Sequence, residues 1–235
     1  MIDTHCHFDL MKDPVTFINN NEKNRIITIG MTNLPSHFKL GYNHVKNYNY
    51  IRLALGLHPL LASNHDREFK VFEKFVELTS YIGEVGLDFS REGIDTKSKQ
   101  LNSFEFVLSK ISNSRKIVSL HSRRAEKDVF EKLIEFNVST AIFHWYSGNL
   151  GILKKIAENG FYFSIISTMI KSENGKKIIA AIPSDLILTE TDSPFITDSS
   201  IPDVINYLSL LWKKHTTEVE SIIAYNFNNL IQRIK

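Results

Sequence analysis

Two histidines near the start of the chain, His5 and His7, lie two positions apart. Side chains of a β-strand alternate between its faces, so both imidazoles would point to the same side. They could then reach one ion, because imidazole is a common ligand of zinc and other first-row metals. An H-x-H pair alone is weak evidence for a metal site, and its weight depends on what the rest of the chain supplies.

Four further candidate ligands each follow a short apolar run: Glu84, His121, His144 and Asp192. One metal ion takes about four to six ligands, and two ions can share a bridging carboxylate. We expect Glu84 to be that bridge. We expect Asp192 to bind metal and to accept the proton of an attacking water. Glu84 and Asp192 are therefore the predicted catalytic residues.

A single buried histidine is more often a hydrogen-bonded core residue than a metal ligand, but six placements at the ends of apolar runs are hard to explain by coincidence. Histidines 37, 44, 65 and 215 have no such pattern and are predicted to lie on the surface. Cys6 would point away from His5 and His7, and we interpret it as a small buried hydrophobic residue.

The elements that must position these residues alternate between strand and helix. Helical patterns cover residues 69–78, 97–112, 124–136 and 149–159, and the region from about 202 to 235 looks helical throughout. Short β-rich runs occupy residues 2–4, 25–29, 51–56, 81–85, 117–121, 140–144, 160–165 and 186–190. Eight strands alternating with helices predict an α/β fold of the (β/α)8 TIM-barrel type, in which strand ends open into one mouth.

An open, doubly wound sheet is the competing fold, but it would place its ligand at a topological switch point and usually carries a glycine-rich loop. The chain has no G-x-G-x-x-G motif and no Pro- or Ser-rich linker. We therefore expect a single barrel domain over residues 1–235, with a helical C-terminus.

The composition narrows the class of protein. The 235 residues are 43% hydrophobic, enough for a sizeable core, and the net charge of +2 gives no general sign of nucleic-acid binding. The single cysteine excludes an internal disulfide and fits a reducing compartment. Because neither a signal peptide nor an apolar run of about 18 residues is present, we expect a cytoplasmic protein with no membrane partner.

At these residues the chain resembles the TatD family of metal-dependent deoxyribonucleases, within the amidohydrolase-like barrel superfamily. The motifs that carry the resemblance are Asp3-Thr-His5-Cys-His7-Phe-Asp9, Gly56-Leu-His58-Pro59, Gly83-Glu84-Val-Gly86-Leu-Asp88-Phe, His121-Ser-Arg123, Phe143-His144-Trp-Tyr-Ser147-Gly148 and Glu190-Thr-Asp192-Ser-Pro194.

The resemblance implies a barrel, two divalent cations (Mg²⁺, Mn²⁺ or Zn²⁺) and exonuclease-like hydrolysis of phosphodiesters. It implies that His58 and Arg123 face the substrate phosphate. It also implies a set of metal ligands: His5, His7, Glu84, His121, His144 and Asp192.

Two departures from the family pattern concern the substrate side of the mouth. The loop 196–202 runs almost directly into a helix and is shorter than in the family, and Trp145 and Tyr146 stand where a Cys-Phe pair is common. The short form resembles the TatD-like component of Qat anti-phage defence systems, which would imply other proteins of such a system as partners.

The leading hypothesis is a two-metal exonuclease that acts 3′ to 5′ on single-stranded DNA ends, in defence or in DNA repair. Positive groups for phosphates could come from Arg91, Arg123 and Arg124, and flat groups for bases from Phe89, Trp145, Tyr146 and Phe195. The competing interpretation is that these aromatic residues only pack the loops and that Arg124 is a surface residue in the first turn of a helix. One alternative is a deacylase or amidohydrolase with a small or tRNA-linked substrate, since barrel fold does not select the reaction. Another is a TatD-like subunit of a defence complex with a mainly binding role.

Overall fold

The computed structural model describes all residues, 1–235. It contains nine strand segments: β1 (Ile2–Cys6), β2 (Ile27–Gly30), β3 (Ile51–Leu53), β4 (Leu55–Leu57), β5 (Tyr81–Gly86), β6 (Ile117–His121), β7 (Ala141–His144), β8 (Tyr162–Ile165) and β9 (Ile187–Thr189). Ten α-helices cover the outside: α1 (Pro14–Lys23), α2 (Pro35–Val45), α3 (Phe69–Phe75), α4 (Lys97–Ile111), α5 (Glu126–Glu135), α6 (Leu150–Glu158), α7 (Ser167–Lys171), α8 (Glu173–Ala181), α9 (Ile201–Trp212) and α10 (Thr216–Gln232).

All strand pairs are parallel, and the segments follow one another in chain order, β1-β2-β3 and then β4 through β9. The predicted strand 51–56 is interrupted at Ala54, which separates β3 from β4. The Ala54 N–H still donates to the Gly30 carbonyl at 2.8 Å, so β3 and β4 together fill one position. Nine segments therefore occupy the eight strand positions that the sequence predicts.

Hydrogen bonds between the first and last strands close the barrel. The Thr4 hydroxyl donates to the Thr189 carbonyl at 3.1 Å. Farther along, the Asp192 N–H donates to the His5 carbonyl at 2.9 Å, and the His7 N–H donates to the Ser193 carbonyl at 2.6 Å. The predicted barrel is confirmed, and its closure brings the residues after β9 directly beside the histidine pair on β1.

The helices bury the faces that their apolar spacing predicts. On α4, Phe104, Val107, Leu108 and Ile111 are buried, in a hydrophobic cluster of 55 residues that extends from Ile2 to Leu230. Burial of this kind supplies most of the stability of such helices. Helix α6 begins where the Asn149 side chain accepts the Ile152 N–H at 3.0 Å, an arrangement typical of an N-cap.

The C-terminal region, which the sequence predicts to be helical, consists of two helices. Lys213 adopts a left-handed conformation with φ of 54° and ends α9. Helix α10 then packs against β9 through Asn226, whose amide donates to the Ile187 carbonyl at 2.8 Å. None of the ten helices combines the length and the apolarity that a membrane crossing requires.

Candidate metal centre

The six predicted metal ligands come together at the carboxyl end of the barrel. His5, His7, Glu84, His144 and Asp192 are each at most 7% exposed, and the His121 side chain is 15% exposed. Four of the six, Glu84, His121, His144 and Asp192, line a cavity of about 410 Å³. Because parallel strands end on the same side of the sheet, residues far apart in sequence meet at this one point.

Glu84 lies in the centre of the cluster, and its two carboxylate oxygens face different imidazoles. Oε1 is 2.6 Å from His121 Nδ1 and 3.1 Å from His144 Nε2. Oε2 is 3.3 Å from His7 Nε2 and 3.6 Å from His5 Nε2. Burial would raise the pKa of Glu84, but the surrounding histidines outweigh it and hold the pKa well below its usual range. The carboxylate is therefore ionised, and its two oxygens point toward different histidines.

Asp192 lies on the Oε2 side of Glu84. Its Oδ1 is 3.8 Å from the Nε2 atoms of both His5 and His7. Burial, together with the negative charges of Glu84 and Glu190, raises the pKa of Asp192 to about 6. A carboxylate with that pKa can accept a proton near neutral pH and release it again.

Several buried ring nitrogens in this cluster have no hydrogen-bond partner: His5 Nε2, His7 Nδ1, His7 Nε2 and His144 Nδ1. Leaving buried polar atoms unpaired is costly, and such atoms call for an explanation. Three groups of side chains place their donor atoms within 4.8 Å of one another: His5, His144 and Asp192; His5, His7 and Glu84; and His58, Glu84 and His121. A mixed set of imidazoles and carboxylates fits zinc, and its carboxylate oxygens can also bind manganese or magnesium.

Two carboxylates that the sequence analysis did not assign to the site support the histidines from behind. Asp88 Oδ2 is 2.8 Å from His121 Nε2, and the hydrogen bonds from His121 and Ser90 lower the pKa of Asp88 to about 2 despite its burial. Glu190 Oε1 is 3.4 Å from His144 Nδ1, an ion-pair distance without a hydrogen bond. A hydrogen-bonded carboxylate such as Asp88 sets the ring orientation and the tautomer of a metal-binding histidine.

The sequence does carry a signal for both supporting carboxylates. Asp88 lies four residues after Glu84, and Glu190 lies two residues before Asp192, within the motifs already identified. A third support is Ser119 on β6, whose hydroxyl is 2.8 Å from His5 Nδ1. No strand-end motif marks Ser119, and its role depends on the neighbouring strand.

Close approach of β5 and β6 is possible because Gly86 has no side chain. Its φ of 138° is one that other residues rarely adopt, and a Cβ there would overlap the carbonyl oxygen of His121. The two strands pair directly at this point, Gly86 opposite His121. Gly86 thus lets His121 reach both Glu84 and Asp88.

The two predicted phosphate-binding residues occupy different environments. His58 lies inside the cluster, with Nε2 at 3.3 Å from Glu84 Oε2 and the Leu60 N–H donating to its Nδ1 at 3.2 Å. Arg123 lies at the rim, is 53% exposed, and has Nη1 at 3.4 Å from Glu92 Oε2. Both line the cavity, so both remain predicted substrate-binding residues.

The other predicted substrate-contacting residues divide into two groups. Trp145 and Phe195 line the cavity, whereas Arg91, Arg124 and Phe89 do not. The prediction for Tyr146 is wrong, because its ring is 1% exposed and packs edge-on against Phe163, with centroids 5.5 Å apart.

One of the four histidines predicted to lie on the surface is buried instead. His65, expected on the surface, is 1% exposed, and its Nε2 is 3.0 Å from the His58 carbonyl oxygen. His65 lies in the short helical segment Pro59–Arg67, which packs against α4, so its own neighbours in sequence give no sign of burial. Cys6 is fully buried in the hydrophobic cluster, as predicted.

Comparison with known proteins agrees with the site. The chain matches the family model described as TatD related DNase over residues 2–232. A metal-dependent hydrolase of Methanocaldococcus jannaschii is 26% identical over 99% of this chain and 97% of its own length. Human deoxyribonuclease TATDN3 is 24% identical over 83% of this chain and 78% of its own length.

Two solved structures also resemble this barrel. The TatD homologue YjjV of Escherichia coli superposes with a TM-score of 0.83 at 23% identity, covering 98% of this chain and 97% of that one. An amidohydrolase of Saccharomyces cerevisiae superposes with a TM-score of 0.63 at 13% identity, over 100% of this chain and 98% of that one. Identities this low establish a shared fold, and function has to be argued from the site.

Proposed function

Since this chain belongs to the family of TatD-related DNases, we propose that it is a two-metal hydrolase that removes nucleotides from single-stranded DNA ends in the 3′ to 5′ direction. The observation that carries the proposal is the position of Glu84. Its two oxygens face separate sets of imidazoles, Oε1 toward His121 and His144 and Oε2 toward His5, His7 and His58. A carboxylate placed in this way suits a bridge between two cations.

The remaining ligands divide between the two sides of that bridge. His5, His7 and Asp192 would hold one divalent cation with Glu84 Oε2, and His121 and His144 would hold the other with Oε1. Two bound cations supply positive charge that stabilises the negative charge developing on the phosphoryl and leaving oxygens. Mg²⁺, Mn²⁺ and Zn²⁺ are all compatible with this donor set.

The chain's own residues would then position the water and the phosphate. Asp192, with its pKa raised to about 6, is mainly ionised at neutral pH and accepts the proton of the attacking water. Arg123 at the rim and His58 beside Glu84 would orient the scissile phosphate between the cavity entrance and the cluster. Holding both reactants in one geometry lowers the entropic part of the barrier.

The size of the cavity favours the end of a single strand. About 410 Å³ lies near the lower limit of ordinary small-molecule pockets, a volume that suits one terminal nucleotide better than a base-paired segment. The net charge of +2 gives little general attraction for a duplex. Recognition therefore depends on groups at the mouth.

The purified protein should be assayed with Mg²⁺, Mn²⁺ or Zn²⁺ on single-stranded DNA labelled at its 5′ end, and on aminoacyl esters. We expect a ladder of DNA products shortened from the 3′ end, and no product with the Asp192→Ala variant. Intact DNA under all three metals, together with ester cleavage, would refute the nuclease proposal and favour the deacylase alternative. Degradation from the 5′ end would refute the proposed polarity alone.

A role in anti-phage defence stays a prediction and is tested in cells. If hydrolysis carries that role, a deletion strain regains phage resistance with the intact gene and not with the Asp192→Ala variant. Full rescue by the variant would instead support a subunit with a mainly binding role. Co-purification with the intact protein and with the Asp192→Ala variant would identify partner proteins from the same defence system.

A further inference from the structure

The cavity wall is chemically asymmetric. Three of its lining residues are apolar: Leu60, Trp145 and Phe195. Trp145 follows β7 and Phe195 follows β9. Strand β8 lies between these two strands and supplies none of the lining residues. Both rings therefore lie at the same cavity, and Arg123 after β6 adds a positive group to its lining.

Trp145 is held in place by its backbone. Its φ of 39° lies in the left-handed region, which is unfavourable for a bulky residue. The Trp145 N–H donates to Glu190 Oε1 at 3.0 Å, and Glu190 is fully buried and also accepts from the Ser164 hydroxyl. Residues in such rare conformations cluster at ligand sites, and here the conformation places an indole beside the predicted metal ligand His144.

Phe195 is a second aromatic ring at the same mouth. It is 58% exposed and is not among the side chains packed against the hydrophobic cluster. Its ring meets that of His7 edge-on, with centroids 4.9 Å apart and planes at 74°. The core therefore does not explain this ring, which lies between a predicted metal ligand and solvent.

We propose that Trp145 and Phe195 form a subsite for the terminal nucleobase of the DNA, with its phosphate directed toward Arg123. This inference rests on the proposed function. Aromatic side chains stack on any base, because every base presents a flat π-face. The subsite would therefore require that a base be present and would discriminate little among the four bases.

The test compares two single-stranded DNA substrates that differ only at the 3′ terminus, one ending in a normal nucleotide and one in an abasic tetrahydrofuran residue. For the wild-type protein loaded with metal, we expect KM to be about five- to hundredfold higher for removal of the abasic residue, the range that stacking of one base provides. Equal KM values for the two ends would overturn the subsite. Absence of cleavage on both would refute the proposed nuclease function instead.

Variants assign the effect to the ring. Trp145→Ala should raise KM for the normal end to the level of the abasic end and leave the abasic end unchanged, whereas Trp145→Phe should retain most of the preference. Phe195→Ala should likewise bring the KM for the normal end closer to the KM for the abasic end. If Trp145→Ala keeps the full preference for a terminal base, the assignment to Trp145 is wrong.

A binding measurement tests the subsite without turnover. The chain has two tryptophans, and Trp212 at the end of α9 does not line the cavity. In a Trp212→Phe variant loaded with Mg²⁺, fluorescence therefore reports on Trp145 alone. Deoxyadenosine 5′-monophosphate should quench it saturably, and deoxyribose 5-phosphate should not. No quenching by the nucleotide, or equal quenching by both probes, would overturn the proposal.

Discussion

His65 should make the stability of the protein depend on pH between about 6.5 and about 4. The imidazole is 1% exposed, and burial lowers its pKa from 6.5 to about 4. Its Nε2 is 3.0 Å from the His58 carbonyl oxygen and its Nδ1 has no partner. The useful variant is His65→Gln, because an amide can still donate to that carbonyl and does not titrate.

The structure sets the size of the effect. Because folding lowers the pKa of His65, the unfolded chain binds the proton first as the pH falls, and the free energy of unfolding decreases. The contribution is complete above about pH 6.5 and is lost as the pH falls toward about 4. The pKa difference corresponds to about 3 kcal/mol in total, of which about 2 kcal/mol is lost by about pH 5.

The assay is urea unfolding of the wild type and of His65→Gln at pH 7 and pH 5, with EDTA present so that metal release does not contribute. The free energy of unfolding should fall by about 2 kcal/mol more in the wild type than in the variant. Other titrating groups near the ring, His58 and Asp66, are common to both proteins. An equal decrease in both would refute the reasoning, as would an NMR titration that placed the pKa of His65 near 6.5.

Three further predictions concern the metal centre. Asp192→Ala should lower kcat by at least about 100-fold with an unchanged circular dichroism spectrum, since loss of a general base has effects of this size. Glu84→Ala should abolish turnover with the same unchanged spectrum, because it removes the proposed bridge between the two cations. Retained turnover in either variant would contradict its assignment. His58→Ala should raise KM and keep the metal content found by elemental analysis, and a large loss of metal would show that His58 is a ligand. Glu190→Gln should weaken metal binding by about 10- to 100-fold through His144, which competition with a fluorescent chelator measures; unchanged affinity would show that the Glu190 carboxylate does not tune that ligand.

The convergence of the six candidate ligands was predictable because three local patterns agree. Residue types that bind metal recur after apolar β-rich runs, the runs alternate with helical patterns, and parallel strands must end on the same side. Together these patterns predict that His5 and His7 meet Asp192 across nearly the whole length of the chain. The hydrogen bond from the Asp192 N–H to the His5 carbonyl, 2.9 Å long, shows that contact directly.

Residues that depend on a neighbouring element were harder to predict. Tyr146 and Trp145 both follow the candidate ligand His144 closely, yet Tyr146 is buried among Phe143 and Phe163 while Trp145 lines the cavity. Two adjacent side chains after a strand point in different directions, and the turn conformation decides which one reaches the mouth. Trp145 has a positive φ. This backbone conformation directs its side chain, and no periodicity in the sequence predicts it.

Residue type and the period of each element are enough to predict which atoms can bind metal and the order in which the strands present them. Only the folded barrel turns the two Glu84 oxygens toward different sets of histidines, places Asp88 and Glu190 beside His121 and His144, and buries His65. These relations depend on distances between strands far apart in sequence. They are settled only when the barrel closes and each ring takes the one orientation that its neighbours allow.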